Sequence, residues 1–176
     1  MPSTWRIVPY PRLAGEPDNP ALRVDLCIAA FLQNRAEDDG FRRARGGAFA
    51  GDYAVSTALH VRYPHVGQGE STSVVHASKI RLCEAVDMES AEQVATALGV
   101  WRNDMSARTA ALAAADALEA LYNRVGVPTR LHQLAIPRED LPAIARETVK
   151  NFNANAGARS PAERIEQAMH LLEAAY

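Results

Sequence analysis

The strongest helix signal in the sequence is residues 106–126, which read SARTAALAAADALEALYNRVG. Alanine, the best helix former, fills many of its positions. Its other apolar residues recur every three or four positions, as they do on one face of a helix: Leu112, Ala115, Leu118, Leu121 and Tyr122. Gly126 and Pro128 follow this stripe, a combination typical of a helix end. We therefore predict a helix over residues 106–125.

Further helical segments lie on both sides of this stretch. Pro20 follows Asn19, and Pro161 follows Ser160, so each proline takes the first helical position after a capping residue. No alternating strand pattern of useful length is present. The sequence predicts an all-α antiparallel bundle of about six to seven helices, with an extended proline-containing lead over 1–18 and one helical domain over 19–176. Besides 106–125, the predicted helices cover 20–35, 44–63, 70–86, 90–98, 138–153 and 161–176.

Composition supports the helical class and excludes several functions. The 176 residues include 33 alanines against 11 aromatic residues, and strands prefer aromatic and β-branched residues. A net charge of -2 argues against non-specific nucleic-acid binding. We find no signal peptide and no run near the roughly 20 apolar residues of a membrane span. Cys27 and Cys83 are expected to be buried free thiols, which fits a cytoplasmic protein.

Several motifs resemble one protein family in their order and spacing. Residues 127–131 (VPTRL) precede 134–141 (LAIPREDL), and the tail runs from 150–155 (KNFNAN) to 171–176 (LLEAAY). Upstream, residues 44–59 and the helix start at 69–75 (GESTSVV) fit the same series. Together these segments resemble the C-terminal helical domain of the iron-containing alcohol dehydrogenases, which have the dehydroquinate synthase-like fold.

This resemblance implies that two different domains bind the cofactor and the metal ion. In the family, an N-terminal α/β domain holds NAD(P) through a Gly-Gly-Gly-Ser loop, and the helical domain binds iron or zinc through one aspartate and three histidines. The present sequence has no Gly-Gly-Gly-Ser segment. The resemblance thus implies that the chain alone binds no cofactor and is inactive, and that its partner is a nucleotide-binding subunit or, in a homo-oligomer, another copy.

The resemblance also indicates which residues stand at the metal-binding positions. Alignment through Leu59 puts one ligand histidine on Tyr53 and the histidine one turn later on Thr57. Alignment through Gly69 puts the final ligand on Gln68. The family's first two ligands have no counterpart here. Because tyrosine, threonine and glutamine are poor ligands for iron or zinc, we predict no metal site and treat these three residues as candidates for lining the cleft.

Two alternatives remain open for this region. His60 and His65 lie nearby, and the segment 64–67 echoes a Pro-His-Gly motif, but two histidines without a carboxylate make an incomplete metal site. Alternatively, Tyr53, Thr57 and Gln68 only fill the space that a metal site would occupy.

Three functional hypotheses follow. The chain is the helical half of an NAD(P)-dependent, alcohol-dehydrogenase-like oxidoreductase that works with a separate nucleotide-binding domain and has its metal ligands replaced. Alternatively, it is a non-catalytic helical remnant that binds a ligand or a protein, or a truncated or split enzyme. None of these hypotheses specifies the substrate, because family members share one bundle while acting on different compounds.

Overall fold

The computed structural model of the chain is helical, as predicted. It describes residues 9–38, 47–49, 52–151 and 159–176, and these contain no strand. The described part holds eight α-helices, and two short 3-10 helices precede α7. The α-helices are α1 (Pro9–Gly15), α2 (Pro20–Asp38), α3 (Tyr53–Arg62), α4 (Gln68–Leu82), α5 (Met88–Ala97), α6 (Ala107–Arg124), α7 (Leu141–Thr148) and α8 (Pro161–Ala174).

The capping signals read from the sequence are confirmed. The Ser160 hydroxyl accepts a hydrogen bond from the Glu163 amide at 3.3 Å, and the Glu163 carboxylate accepts one from the Ser160 amide at 2.7 Å. Ser106 caps α6 through the amide of Thr109. Gly126, with a φ of 73°, follows α6 in the left-handed conformation that glycine adopts without strain. Local side-chain chemistry therefore fixes the ends of α6 and α8.

Several expected boundaries are wrong. Helix α4 ends at Leu82 instead of residue 86, and α7 covers only Leu141–Thr148 of the helix expected over 138–153. Residues 9–15 of the expected extended lead form α1, and residues 1–8 lie outside the described part. The helix expected over 44–63 begins only at Tyr53, because Asp52 caps it and residues 47–49 are not helical. Glycine is a poor helix former, so the glycines before Asp52 weaken the helix that the small residues suggested. Residues 44–46 and 50–51 lie outside the described part.

Helix α4 lies at the centre of the packing and contacts α3, α6 and α8. Its Val74 and Val75 are buried together with Val55 and Leu59 of α3. The same core cluster extends into α7 and α8 and includes Leu172, which is fully buried. On another side, α4 meets α6, whose buried face is built of alanines that permit close approach: Ala110, Ala111, Ala114 and Ala115.

Helix α2 is less enclosed than the central helices. Leu22 is buried, but four large apolar side chains on α2 are exposed: Val24, Ile28, Phe31 and Leu32. Cys27 on the same helix is also exposed, and Cys83 is half-buried, so the expectation of two buried thiols is wrong. Both cysteines are free. Among the described residues, no helix combines the length and apolar character required to cross a membrane.

Arg108 of α6 completes the end of α4. Its guanidinium donates to the carbonyls of Cys83 and Arg81, both at 2.6 Å, and makes a longer contact of 3.4 Å with the carbonyl of Ile80. The last carbonyls of a helix have no partner within the helix. Arg108 therefore supplies hydrogen bonds that α4 lacks and links α4 to α6.

We expect Arg108→Met to lower the free energy of unfolding by about 2 kcal/mol, because charge-assisted hydrogen bonds are lost and carbonyls are left without partners. Urea denaturation measures this loss. The control Arg102→Met removes an exposed arginine whose ion pair with Asp104 is 3.5 Å long, and it is expected to cost less than about 0.5 kcal/mol. Equal losses in the two variants would contradict the capping role of Arg108.

Candidate functional site

The first turns of α3 and α4 are fixed by side-chain caps. The Asp52 carboxylate accepts a hydrogen bond from the Val55 amide at 3.1 Å, which starts α3 at Tyr53. The Glu70 carboxylate accepts one from the Gly67 amide at 2.8 Å, which starts α4 at Gln68. Both caps belong to the part of the chain that contains the predicted cleft residues.

Three hydroxyl groups connect α3 to the first turn of α4. The Ser56 hydroxyl lies 2.8 Å from that of Ser71 and 3.0 Å from that of Thr72. The Ser71 and Thr72 hydroxyls each donate to the carbonyl of Gln68 at 2.9 Å. Ser56 is only 1% exposed and Ser71 is fully buried, whereas Thr72 is half-buried. We call these three hydroxyls and the Gln68 carbonyl the hydroxyl network.

The predicted cleft residues lie on the same two helices as this network. Tyr53 is the first residue of α3 and is 60% exposed. Thr57 is half-buried and directly follows Ser56, while Gln68 exposes its side chain and contributes its carbonyl to the network. Tyr53 and Gln68 are therefore the first residues of α3 and α4, whereas Thr57 lies one turn into α3. The hydroxyls of Ser71 and Thr72 connect the Gln68 carbonyl to Ser56 of α3.

The two alternative metal ligands have different anchors. The His60 ring donates from Nδ1 to the carbonyl of Ser56, one turn earlier in α3, at 3.0 Å. The His65 ring donates from Nε2 to the carbonyl of Leu134 at 3.1 Å, and its edge contacts the ring of Tyr63. Because a carbonyl only accepts, each histidine has one ring nitrogen occupied as a donor.

The family implies an iron or zinc ion, and the side chains at this site do not fit one. The network offers neutral hydroxyl and carbonyl oxygens that already hydrogen-bond to each other. Iron and zinc prefer imidazole, thiolate and carboxylate ligands. Across the described ranges, no three His, Cys, Asp or Glu side chains come together as a metal-binding group.

The opposite end of α3 carries a charged cluster. The Tyr63 hydroxyl donates to the Asp140 carboxylate at 2.5 Å, and the Arg62 guanidinium lies 3.4 Å from the same carboxylate. The hydrogen bond from Tyr63 lowers the pKa of Asp140 below its usual value, and burial raises the pKa of Tyr63. This cluster links the end of α3 to the start of α7, away from Tyr53.

His76 connects α4 to two other parts of the chain. Its Nε2 donates to the Phe49 carbonyl at 3.1 Å, and its Nδ1 lies 3.3 Å from the Tyr122 hydroxyl of α6, from which it accepts in the neutral form. Burial lowers the pKa of His76, against an opposing contribution from the Phe49 carbonyl. The neutral ring therefore satisfies both partners.

The hydroxyl network has no motif in the sequence that predicts it. Ser71 and Thr72 belong to a run of serine and threonine at the helix start, whereas Ser56 lies 15 residues before Ser71 among apolar residues. Ser56, a hydroxyl residue within an apolar helical stretch, indicates a buried polar group that needs a hydrogen-bond partner. Which residue supplies that partner depends on how the helices pack.

His76 makes stability acid-sensitive. Its pKa is lower in the folded chain than the value of about 6.5 in the unfolded chain, so below that pH the unfolded chain takes up a proton first. We expect the free energy of unfolding to fall as pH drops below about 6.5. His76→Gln should reduce this fall in urea denaturation at pH 7 and pH 5. The control His170→Gln, at an exposed position, should retain it, and an unchanged fall in His76→Gln would contradict the assignment.

Comparison with known proteins gives one family for this helical domain. The model described as "Fe-containing alcohol dehydrogenase family, C-terminal" matches residues 9–176. No curated protein matches the chain. The match covers every helix described above and agrees with the motifs at residues 127–141 and 171–176. The chain therefore belongs to the Fe-containing alcohol dehydrogenase family, of which it carries the C-terminal domain.

Proposed function

We propose that this chain is the helical half of an alcohol-dehydrogenase-like, NAD(P)-dependent oxidoreductase in which uncharged side chains have replaced the usual metal ligands. In this proposal a separate nucleotide-binding domain holds the cofactor. Tyr53, Thr57 and Gln68 face the substrate and orient a polar group by hydrogen bonds.

The observation that carries this proposal is the chemical character of the α3–α4 junction. Family membership supports an alcohol-dehydrogenase-like role for the domain. At the two remaining ligand positions that the resemblance assigns, Tyr53 and Gln68, the side chains are a phenol and an amide. Thr57, which stands where the family has a further histidine, carries a hydroxyl, and the preceding Ser56 is buried and uncharged. Such groups donate and accept hydrogen bonds but carry no charge to hold a divalent ion.

Hydrogen bonds would do part of the work that a metal does in the family. Hydride transfer to a carbonyl carbon leaves negative charge on the oxygen, and positioned donors stabilise that charge. The Tyr53 hydroxyl and the Gln68 amide are both exposed and can donate. Thr57 is half-buried and would limit the orientation of the bound group. The expected substrate group is therefore a polar, uncharged oxygen.

A non-catalytic binding module is the second candidate. The exposed apolar side chains of α2, including Ile28 and Phe31, favour contact with another protein. A binding module and an oxidoreductase half differ in one measurable respect, because only the oxidoreductase half supports hydride transfer once a nucleotide-binding domain is supplied.

Metal and cofactor binding by the purified chain test the proposal directly. We expect less than about 0.1 metal ion per chain after incubation with Fe²⁺ or Zn²⁺, because the neutral oxygens of this site bind such ions weakly. Tryptophan fluorescence titrated with NADH and NADPH should show no saturable change. Stoichiometric metal would contradict replacement of the ligands, and cofactor binding would contradict the need for a separate nucleotide-binding domain.

Activity is then measured with the chain fused to, or mixed with, a nucleotide-binding domain of the same family. The oxidoreductase proposal expects aldehyde reduction by NAD(P)H that persists in EDTA and falls in the variant Tyr53→Phe. No activity in either arrangement, together with stable binding of a protein partner, would favour the binding module.

Restoring the histidines tests the alignment that places the lost ligands. We expect a protein carrying Tyr53→His, Thr57→His and Gln68→His to bind Co²⁺ with the visible absorption bands of a nitrogen-ligated ion, and to unfold at a higher temperature with the ion bound. The control carries only Tyr53→His and Thr57→His and should bind more weakly, because no imidazole then stands at position 68, in the first turn of α4. Equal affinity in the two proteins would contradict the placement of Gln68.

A further inference from the structure

The hydroxyl network has more contacts than hydrogens. Four oxygen–oxygen contacts connect Ser56, Ser71, Thr72 and the Gln68 carbonyl. A carbonyl only accepts, so all hydrogens come from the three hydroxyls, and each hydroxyl has one. When Ser71 and Thr72 both donate to Gln68, the single hydrogen of Ser56 must serve two acceptors. The contacts therefore depend on one another.

Ser56 is the α3 residue in both hydroxyl contacts between α3 and α4. Its hydroxyl meets Ser71 at 2.8 Å and Thr72 at 3.0 Å, while the other two contacts lie within the first turn of α4. Burying a hydroxyl without a partner is costly, so these buried groups favour the helix spacing at which they meet. Thr57 follows Ser56 directly in α3, and Gln68 contributes its carbonyl from α4. The distance between the two helices at Ser56 therefore also determines the distance between the backbones of these two predicted cleft residues.

We propose that the Ser56 hydroxyl, through its contacts with Ser71 and Thr72, fixes the register of α3 against the first turn of α4 and thereby positions Thr57 and Gln68. This inference rests on the proposed function for the identity of the cleft residues. Ser56 is a positioning residue that acts through the backbone of its neighbours.

The hydrogen count predicts an order among variants. In Thr72→Val, Ser56 donates to Ser71 and Ser71 donates to Gln68, so every remaining contact has a hydrogen and the link between helices persists. In Ser56→Ala, Ser71 and Thr72 still donate to Gln68, but no hydroxyl joins α3 to α4. Ser56→Ala should therefore be the damaging change, although Ser56 and Thr72 each take part in two contacts.

Urea unfolding and amide hydrogen exchange on the full chain test this order. We expect Ser56→Ala to raise the equilibrium constant of unfolding about tenfold and Thr72→Val less than about threefold. Amide exchange near Thr57 and Gln68 should accelerate in Ser56→Ala alone. The control Ser78→Ala removes another buried α4 hydroxyl, which donates to the Ala174 carbonyl at 3.1 Å, and should leave exchange near Thr57 unchanged.

A second experiment measures how added metal ions and a chelator affect stability and amide exchange. Neither EDTA nor Zn²⁺ should shift the unfolding midpoint of the unaltered chain. When Ser56→Ala is added to the three-histidine protein described above, Co²⁺ should restore slow amide exchange near position 57, because the ion then joins the two helices.

The outcomes separate this inference from the proposed function. Equal losses in Thr72→Val and Ser56→Ala, no local change in exchange, or stabilisation of the unaltered chain by Zn²⁺ would each overturn the role of Ser56. If the three-histidine protein does not bind Co²⁺ while Ser56→Ala behaves as expected, the positioning role is supported, and the alignment behind the proposed function is the part that fails.

Discussion

Helix α4 is held by buried hydroxyl groups that each reach a different neighbour, and the rest of the domain is arranged around it. Ser71 meets Ser56 of α3, Ser73 donates to the Pro128 carbonyl at 2.7 Å, and Ser78 donates to the Ala174 carbonyl at 3.1 Å. All three serines are at most 3% exposed. A helix enclosed on several sides by such contacts has few positions in which every hydroxyl finds a partner, which fixes its rotation and its translation along the axis.

This constraint explains which parts of the fold could be predicted from sequence. Helices α6 and α8 have a capping serine, a clear apolar face and a defined end, so local rules identify them. For α3 the predicted start at residue 44 is too early. The small residues before Asp52 allow close helix packing and so suggest a helix, but the Asp52 cap and the preceding glycines favour a start at Tyr53. The short helix α1 lies in a proline-rich segment, and such a composition predicts an extended chain. The contact of α1 with α2, which the sequence pattern does not show, accompanies its helical conformation.

For the candidate site, the sequence predicts individual residues but not their contacts. Family motifs predict that Tyr53, Thr57 and Gln68 line the cleft and that these side chains replace family histidines, and this stays a prediction. No local pattern reveals that Ser56 meets Ser71 and Thr72, because that contact depends on how two helices pack. His76 is a similar case: its partners Phe49 and Tyr122 come from distant parts of the sequence, and burial, which no sequence window reports, is the main cause of its lowered pKa.

The apolar core accounts for how α3 and α4 can stay together without a charged ligand set. A structural zinc contributes about 10 kcal/mol or more in small domains, whereas one hydrogen bond contributes about 1 kcal/mol, so a hydroxyl network cannot equal a metal in binding strength. Val55 and Leu59 of α3 and Val74 and Val75 of α4 are each at most 1% exposed, and burying such side chains yields roughly 1.5–3 kcal/mol apiece. Apolar burial thus holds the helices together, and the directional hydroxyl contacts determine their register. A metal ion would combine both tasks in one group, and in the proposed arrangement two kinds of side chain share them.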